Sequence, residues 1–211
     1  MPNWCNNNIS ITGPNSVIDK IEKIVKEEKE ENGLLNFFHP MPKQLEGTTS
    51  PSSSADKPQP MVEGFDNWYD WRVENWSTKW EVCEFYGVDR QHLNDSLDES
   101  TISFAFSSAW APPIGAYEQF LADNENCSLK AYYYEGGCDF MGEWDNGSDD
   151  CYAPSDYKST DDFWQDGIGS TLDDIFNITE SMAEYEAEQE AEKEDVHEYT
   201  KGKAMNIGEE I

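Results

Sequence analysis

The chain has 211 residues and a formal net charge of −30 at pH 7, from 44 acidic and 14 basic side chains. This charge argues against direct binding to nucleic acid or to an anionic membrane, because such binding normally depends on cations that neutralise phosphates. It favours a partner that is itself basic.

The cysteines and the apolar segments indicate the compartment. The five cysteines include no C-x-x-C pair, and the opening MPNWCNNN has neither the basic nor the apolar segment of a signal peptide. No apolar run approaches the roughly 18 residues that a membrane span needs. We therefore expect free thiols, a cytoplasmic location and no membrane association.

The first half of the chain predicts a strand, a helix and a long loop. Residues 4–12 alternate between apolar and polar from Asn8 onward and end at a Gly-Pro turn, which is typical of a half-buried strand. The next stretch places apolar residues at helical spacing and predicts a helix that ends before Gly33. Residues 43–64 lack periodicity and are rich in Ser and Pro, so we expect a mobile loop.

Four tryptophans lie within residues 67–80. On a helical wheel one stripe of this segment predicts core packing, because aromatic residues at helical spacing are usually buried. The members of that stripe are Tyr69, Val73, Trp76 and Trp80.

A second group in the same segment falls off the stripe and forms a possible recognition edge. Its members are Trp68, Trp71, Arg72 and Asn75. Arg72 is four residues from both Trp68 and Trp76, which predicts stacking of its guanidinium on those rings. The alternative is that these side chains only hold the segment onto the sheet.

The second half of the chain completes the pattern of a small mixed domain. Residues 80–87, 101–110 and 127–137 are predicted strands, with a helix over 114–125 after two prolines. Residues 138–147 predict a hairpin partner across Gly136-Gly137. The order strand, helix, strand, strand, helix, strand predicts an α+β fold with an antiparallel sheet in the ferredoxin-like, split βαβ arrangement.

The remaining residues predict an acidic, helical C-terminal extension. We place the α+β domain at 1–145 and the extension at 146–211, with a helix over about 171–201 that Thr171 caps. Between Asp139 and Glu198 there are 20 acidic residues against two lysines, a net charge of −18. This run is either a solvated, solubilising surface or a surface for a basic partner.

If the acidic run binds a partner, the carboxylates of its terminal helix act collectively. The candidate residues are Asp173, Asp174, Glu184, Glu186, Glu188, Glu190, Glu192, Glu194 and Asp195.

Several motifs carry a resemblance to a known family. They are MPNWCNN at the start, F-x-x-P-x-P at 37–42, WYDWRxxNWxTKW at 68–80, FxFSSAWxPP at 104–113 and YxExGxxFxGEW at 133–144. Over about residues 1–145 the chain resembles the YubB ferredoxin-like domain family of plasmid and bacteriophage proteins, which has no established activity. The resemblance implies a ferredoxin-like domain and a mobile-element origin, and it implies no catalytic residues. The loop at 43–64 and the extension after 145 depart from the family pattern.

Catalytic and metal-binding motifs are absent from the sequence. The carboxylate-rich stretches 145–151 and 159–167 lack the spacing of a calcium loop, and His39, His92 and His197 lie far apart. We predict no catalytic residue, no metal and no cofactor, and therefore a protein that is not an enzyme.

Three functions are compatible with these patterns. The first is a phage or plasmid accessory protein in the cytoplasm of a bacterial host, which binds and inhibits a basic nucleic-acid-handling or defence protein through an acidic surface that mimics nucleic acid. The second is a small enzyme or ligand-binding module that uses the edge around Trp68, Trp71 and Arg72. The third is a single-stranded RNA binder that stacks bases on sheet aromatics such as those at 132–134.

Overall fold

A computed structural model of the chain describes residues 3–27, 33–82, 84–94, 98–184 and 187. The chain divides into two compact units, Met1–Ala153 and Pro154–Ile211. No helix among the described residues is long and apolar enough to cross a membrane.

The first unit is an α+β structure built on a six-stranded, open, antiparallel sheet. The strands run β2-β3-β1-β4-β5-β6 across the sheet. They are β1 (Trp4–Pro14), β2 (Tyr86–Asn94), β3 (Glu99–Ala109), β4 (Ser128–Glu135), β5 (Phe140–Asp145) and β6 (Ser148–Tyr152). The helices are α1 (Asn15–Glu27), α2 (Leu34–Phe38), α3 (Trp68–Trp76) and α4 (Ile114–Asp123).

Strand β1 lies at the centre because its alternating sequence serves both faces of the sheet. Ile9 and Ile11 are fully buried in the core on one face. On the other face Thr12 exchanges a hydrogen bond of 2.7 Å with Thr101 of β3. The strand predicted over residues 4–12 is confirmed, because alternation records which side chains face the core.

Five other predicted elements are confirmed. Helix α1 buries Ile18, Ile21 and Val25 from its apolar stripe. Strand β3 follows the predicted alternation, and α4 starts directly after the two prolines. Strands β4 and β5 pair across the predicted glycine turn, with Glu135 opposite Phe140.

The strand predicted over residues 80–87 is wrong in position. Strand β2 begins only at Tyr86 and continues through polar residues to Asn94, beyond the predicted end at residue 87. It pairs with β3 alone, from Tyr86 opposite Ala105 to Asn94 opposite Glu99. An edge strand needs only one partner and little apolar surface, so polar residues suit it despite their lack of an apolar pattern.

The segment over residues 43–64, which the sequence predicts to be a mobile loop, contains local structure without apolar periodicity. The segment contains two short 3₁₀ turns, Lys43–Leu45 and Ser52–Ser54, and buries Leu45. Gln59 bonds both the backbone N–H and, at 2.9 Å, the carbonyl of Thr49. Side-chain hydrogen bonds therefore replace the periodicity that the sequence lacks.

Strand β6 lies at the start of the segment that the sequence predicts to be the acidic C-terminal extension. Its residues are all exposed, and it pairs with β5 from Met141 opposite Tyr152 to Asp145 opposite Ser148. The two units therefore meet in the chain between Ala153 and Pro154. A polar strand at the sheet edge leaves no alternation that a sequence reading would detect.

The second unit contains α5 (Thr160–Gln165), α6 (Gly167–Phe176) and a helical segment over residues 178–184. The helices α5 and α6 approach closely at Gly169, where a Cβ would lie 2.1 Å from the carbonyl oxygen of Phe163. The Phe163 side chain is fully buried.

The single helix predicted over 171–201 differs from the structure in where it starts and in its continuity. Helix α6 starts earlier, because the Asp166 side chain accepts the N–H of Ile168, whereas Thr171 bonds back to the carbonyl of Gly167 within the helix. It ends at Asn177, whose φ of 54° is in the left-handed region that asparagine tolerates. The predicted part beyond residue 184 lies outside the described residues, apart from 187.

A buried carboxyl group starts the short helix α2. Glu81 accepts the backbone N–H of Leu35 at 2.7 Å, that of Asn36 at 2.9 Å and that of Val82 at 3.1 Å. Gly33 is required beside it, since a Cβ there would lie 2.1 Å from the Glu81 carboxyl carbon. Burial raises the pKa of Glu81 above its ordinary value and outweighs these hydrogen bonds, which lower the pKa.

This arrangement predicts a pH-dependent contribution to stability. Because the pKa of Glu81 is raised in the folded state, its contribution is full below the unfolded pKa and decreases as the pH rises. The unfolding free energy of the wild type minus that of Glu81→Gln should therefore fall over a pH range that starts at about pH 4, near the unfolded pKa of a glutamate. Urea titrations of both proteins across that range measure it, and a difference that stays constant or rises would contradict the assignment.

Candidate functional site

The tryptophan segment forms α3 and buries a different face from the predicted one. Trp71 and Trp76 are 1% and 0% exposed, whereas Tyr69, Val73 and Trp80 are exposed. The predicted core stripe is therefore correct for Trp76 and wrong for the other three. Trp71, which the sequence places on the recognition edge, is part of the core and presents no surface to a ligand.

The physical reason lies in the ends of α3 and in one tertiary hydrogen bond. Ser77 adopts a φ of 63° and ends the helix, so that Trp80 is not on its wheel. Inside, the Trp76 indole N–H donates to the carbonyl of His39 at 2.8 Å, and the His39 ring contacts the Trp71 ring edge-on at 4.9 Å. A segment with aromatic residues on every side gives no amphipathic signal, and tertiary partners decide its phase.

The buried face of α3 predicts a contrast between two neighbouring substitutions. Trp71→Ala should cost about 3–5 kcal/mol of unfolding free energy, because it removes a fully buried ring from the core. Val73→Ala, on the exposed face, should stay within about 0.5 kcal/mol of the wild type. Urea unfolding monitored by circular dichroism measures both, and equal losses would contradict the observed phase of the helix.

Of the predicted recognition edge, the side chains that line a surface pocket are Arg72 and Trp68. The Arg72 guanidinium carbon lies 5.2 Å from the Trp68 ring centroid and 4.7 Å from that of Trp76, which confirms the predicted stacking. A pocket of about 300 Å³ adjoins it. Asn75, by contrast, donates its side-chain amide to the Trp71 carbonyl at 2.8 Å within the helix.

A second aromatic surface, which the sequence does not predict, consists of Trp4, Trp80 and Trp110, and we call it the tryptophan patch. These side chains are 50%, 38% and 45% exposed, and the Trp4 and Trp80 rings lie 6.0 Å apart. The Lys79 ammonium lies 4.0 Å from the Trp80 centroid and 5.9 Å from that of Trp110. Exposed tryptophans that cluster in this way are typical of binding surfaces.

Strand register and an unusual backbone conformation produce the tryptophan patch. Trp4 pairs with Ala109 across β1 and β3, which brings it next to Trp110. Trp110 has a φ of 74°, a costly conformation for a bulky residue, and its N–H donates to the Asn3 carbonyl at 3.0 Å. Only the β1–β3 register, which the sequence does not reveal, could have predicted this proximity.

The sheet face opposite the core does not favour the RNA-binding alternative. Tyr132 is half-buried there, whereas Tyr133 is buried in the core. Lys130, whose ammonium lies 5.2 Å from the Tyr132 ring centroid, pairs with Glu143 at 3.0 Å and with Asp145 at 3.7 Å. Because carboxylates already neutralise this lysine, it offers little to a phosphate.

The acidic candidates divide into a structural residue, surface residues and residues outside the described part. Asp173 is buried and accepts the Thr179 N–H at 2.7 Å and its hydroxyl at 3.0 Å, so it caps the helical segment at 178–184. Its assignment to a partner-binding surface is wrong. Asp174 and Glu184 are exposed. The other candidates lie outside the described residues: Glu186, Glu188, Glu190, Glu192, Glu194 and Asp195.

Asp173 and Asp174 provide a matched pair of substitutions. Asp173→Ala should cost about 1 kcal/mol of stability in the second unit, because it leaves the Thr179 N–H without its cap. Asp174→Ala removes the same charge from an exposed position and should change stability by less than about 0.5 kcal/mol. Hydrogen exchange at residues 178–184 measures both effects, and equal protection in the two variants would refute the capping role.

Three of the described cysteines show no sign of nucleophilic activation. Burial raises the pKa of Cys5 and of Cys127. A hydrogen bond with Glu135 raises the pKa of the exposed Cys138 thiol. All three thiols are thus held in the protonated, unreactive form.

A serine and a histidine meet at Ser100 and His92, but the geometry is structural. The Ser100 hydroxyl and the His92 Nδ1 lie 2.9 Å apart, and Ser100 also bonds Asn15. The Ser100 side chain is fully buried, so no substrate can reach it. In the part of the chain that the structure describes, no group of three His, Cys, Asp or Glu side chains is arranged to hold a metal ion.

Comparisons with known proteins add little to this geometry. No family model and no curated protein matches the chain. Among solved structures it is similar to the crystal structure of protein Api92 from Yersinia pseudotuberculosis, which is assigned to the family DUF1281. The two share 11% identity at a TM-score of 0.40, over 75% of this chain and 96% of that chain. Likeness at this level establishes neither a fold family nor an activity.

Proposed function

We propose that this chain is a binding protein without enzymatic activity, whose acidic surface captures and inhibits a basic, nucleic-acid-handling protein. Its resemblance to the YubB family supports a phage or plasmid origin, with a partner from the host or its defence machinery in the bacterial cytoplasm. The carboxylates of the second unit would occupy a groove that normally holds phosphates.

One observation carries this proposal: the acidic side chains of the second unit greatly outnumber its cations. Residues 154–184 contain eight acidic side chains against Lys158. Asp161, Asp162, Asp174 and Glu184 are all exposed, and none of them has an ion-pair partner among the described residues. Unpaired carboxylates at this density create a strongly negative field, which accelerates encounter with a basic protein.

Use of the cations in the first unit reinforces the field. Arg90 pairs with Asp19 at 2.7 Å and with Glu22 at 2.6 Å, and Lys26 also pairs with Glu22. These cations are neutralised within their own unit and are not available to balance carboxylates elsewhere. The surface that a partner meets therefore carries the negative charge that the composition indicates.

The finer fold assignment is also a proposal. We infer that the first unit has the ferredoxin-like, split βαβ arrangement, extended by two strands. The order β2-β3-β1-β4 supports it, because β3 lies between β1 and β2, and β1 between β3 and β4. The strands β5 and β6 then extend the sheet at one edge, and α2 and α3 form an insertion between α1 and β2.

The tryptophan patch favours a second candidate function, a ligand- or protein-binding module based on the first unit. Three exposed tryptophans and a left-handed Trp110 backbone are costly features that a purely solubilising domain would not need. In this case the acidic surface only keeps the protein soluble.

Neutralising carboxylates of the second unit in the full chain tests the proposal. In the test variant eight acids become Asn or Gln: Asp174, Glu184, Glu186, Glu188, Glu190, Glu192, Glu194 and Asp195. In the control variant eight exposed acids of the first unit are changed in the same way: Asp56, Glu74, Glu84, Asp89, Glu118, Asp123, Glu125 and Asp150. Each set changes the formal net charge from −30 to −22.

Capture from bacterial lysate should distinguish the two variants. The wild type and the control variant should retain a basic nucleic-acid-binding protein at low salt, and duplex DNA should displace it. The test variant should lose that partner, because binding depends on local carboxylates that release counterions. If the test variant retains the partner through high salt, the acidic-surface proposal is wrong. The Trp80→Ala variant then tests the tryptophan patch.

A further inference from the structure

Arg72 combines a half-buried position with hydrogen-bond donors that have almost no acceptor among the described residues. Its guanidinium lies between the rings of Trp68 and Trp76. Among the described residues its one polar contact is a long hydrogen bond of 3.5 Å to the carbonyl of Lys79. Its Nε is buried and has no hydrogen-bond partner there. Five N–H donors in a fixed plane thus have a single weak acceptor.

The nearby acids do not neutralise Arg72 within the described residues. The buried Glu81 carboxyl directs its oxygens to the backbone N–H groups of α2 and to that of Val82. Arg90, in contrast, pairs with two carboxylates. Burial lowers the pKa of Arg72 from its ordinary value and outweighs the charges of Glu81 and Glu46, which raise it. In a chain with 44 acidic residues, an arginine without an ion pair among the described residues is unusual.

A pocket adjoins this guanidinium. It has a volume of about 300 Å³ and is lined by Met41, Glu46, Gly47, Trp68 and Arg72. Met41 and Trp68 supply apolar walls. At Gly47 no atom lies within 4 Å of where a Cβ would be, so the entrance is open there. The volume is at the lower end of the range for small-molecule sites.

We propose that this pocket binds a carboxylate group carried on a small apolar body. A carboxylate matches the planar donor fork of a guanidinium in a bidentate pair, and the stacked tryptophans hold that plane in place. Glu46 lines the same pocket, so a second negative charge on the ligand would be repelled. The site therefore selects a monoanion, and a phosphate dianion fits it poorly. The site does not depend on the acidic surface of the second unit.

Two sources supply this chemistry: a free small carboxylic acid, and the C-terminal carboxylate of a peptide with an apolar last residue. Titrations of the full chain by Trp fluorescence and calorimetry use 3-phenylpropionate against the neutral 3-phenylpropionamide, and acetyl-Gly-Leu against its C-terminal amide. The acids should bind saturably and the amides should not. Tighter binding of the peptide assigns the site to a C-terminus, and tighter binding of phenylpropionate assigns it to a small acid.

Three variants connect binding to Arg72. Arg72→Met should weaken binding about 10-fold or more, since a charged hydrogen bond is lost. Arg72→Lys should bind more weakly than the wild type and more tightly than Arg72→Met, because it keeps the charge and loses the planar fork. Lys57→Met removes a cation from an exposed position and should bind as the wild type does.

The Glu46→Gln variant gives a test that still holds if changes at Arg72 unfold the domain. This residue is exposed, and its neutralisation should tighten binding of either acid several-fold, a gain that unfolding cannot produce. Failure of both acids to give a saturable signal with the wild type, or equal binding of an acid and its amide, would overturn the proposal.

Discussion

The insertion between α1 and β2 depends on one buried carboxyl group, that of Glu81. Its contacts with the N–H groups of Leu35 and Asn36 fix where α2 begins. Helix α2 then brings Phe38 to within 4.5 Å of the Phe120 ring and places the His39 carbonyl, which accepts the Trp76 indole N–H. The orientation of α3, and with it the position of Arg72 between two tryptophans, follows from that carboxyl group. The carboxyl group stays buried because the N-terminal N–H groups of α2 would otherwise lack acceptors.

The sequence predicts best the elements whose two faces differ. Strands β1 and β3 and helix α1 separate a core face from an outer face, and alternation or helical spacing records that separation. Strands β2 and β6 are edge strands with polar residues, so their pairing leaves no mark on the apolar pattern. The prediction of which face of α3 is buried fails for the opposite reason. The helix has aromatic residues on several sides, and only contacts with distant residues such as His39 select which of them is buried.

Whether a site residue could be predicted depends on the same distinction between local and distant contacts. The stacking of Arg72 on Trp68 and Trp76 could be predicted, since residues four apart on a helix are neighbours. The tryptophan patch could not, because the pairing of Trp4 with Ala109 connects strands about a hundred residues apart. The capping role of Asp173 could not be predicted, because it depends on the break at Asn177. That break brings the start of the next helical segment within hydrogen-bond distance of Asp173, which a continuous helix would leave on the surface.

The distribution of cations links the two proposed binding modes. Arg90 and Lys130 are bound to carboxylates, and Arg72 and Lys79 lie over tryptophan rings. The long-range field of the chain is therefore negative, whereas the aromatic surfaces of the first unit each retain one cation at short range. Beyond a Debye length of about 8 Å at physiological salt, a basic partner experiences the carboxylates. At contact distance, a small carboxylate in the Arg72 pocket is attracted by the guanidinium. Solvent and salt screen this half-buried interaction less than they screen interactions between surface charges. Opposite ligand charges can thus bind to one acidic protein, since the two sites operate over different distances.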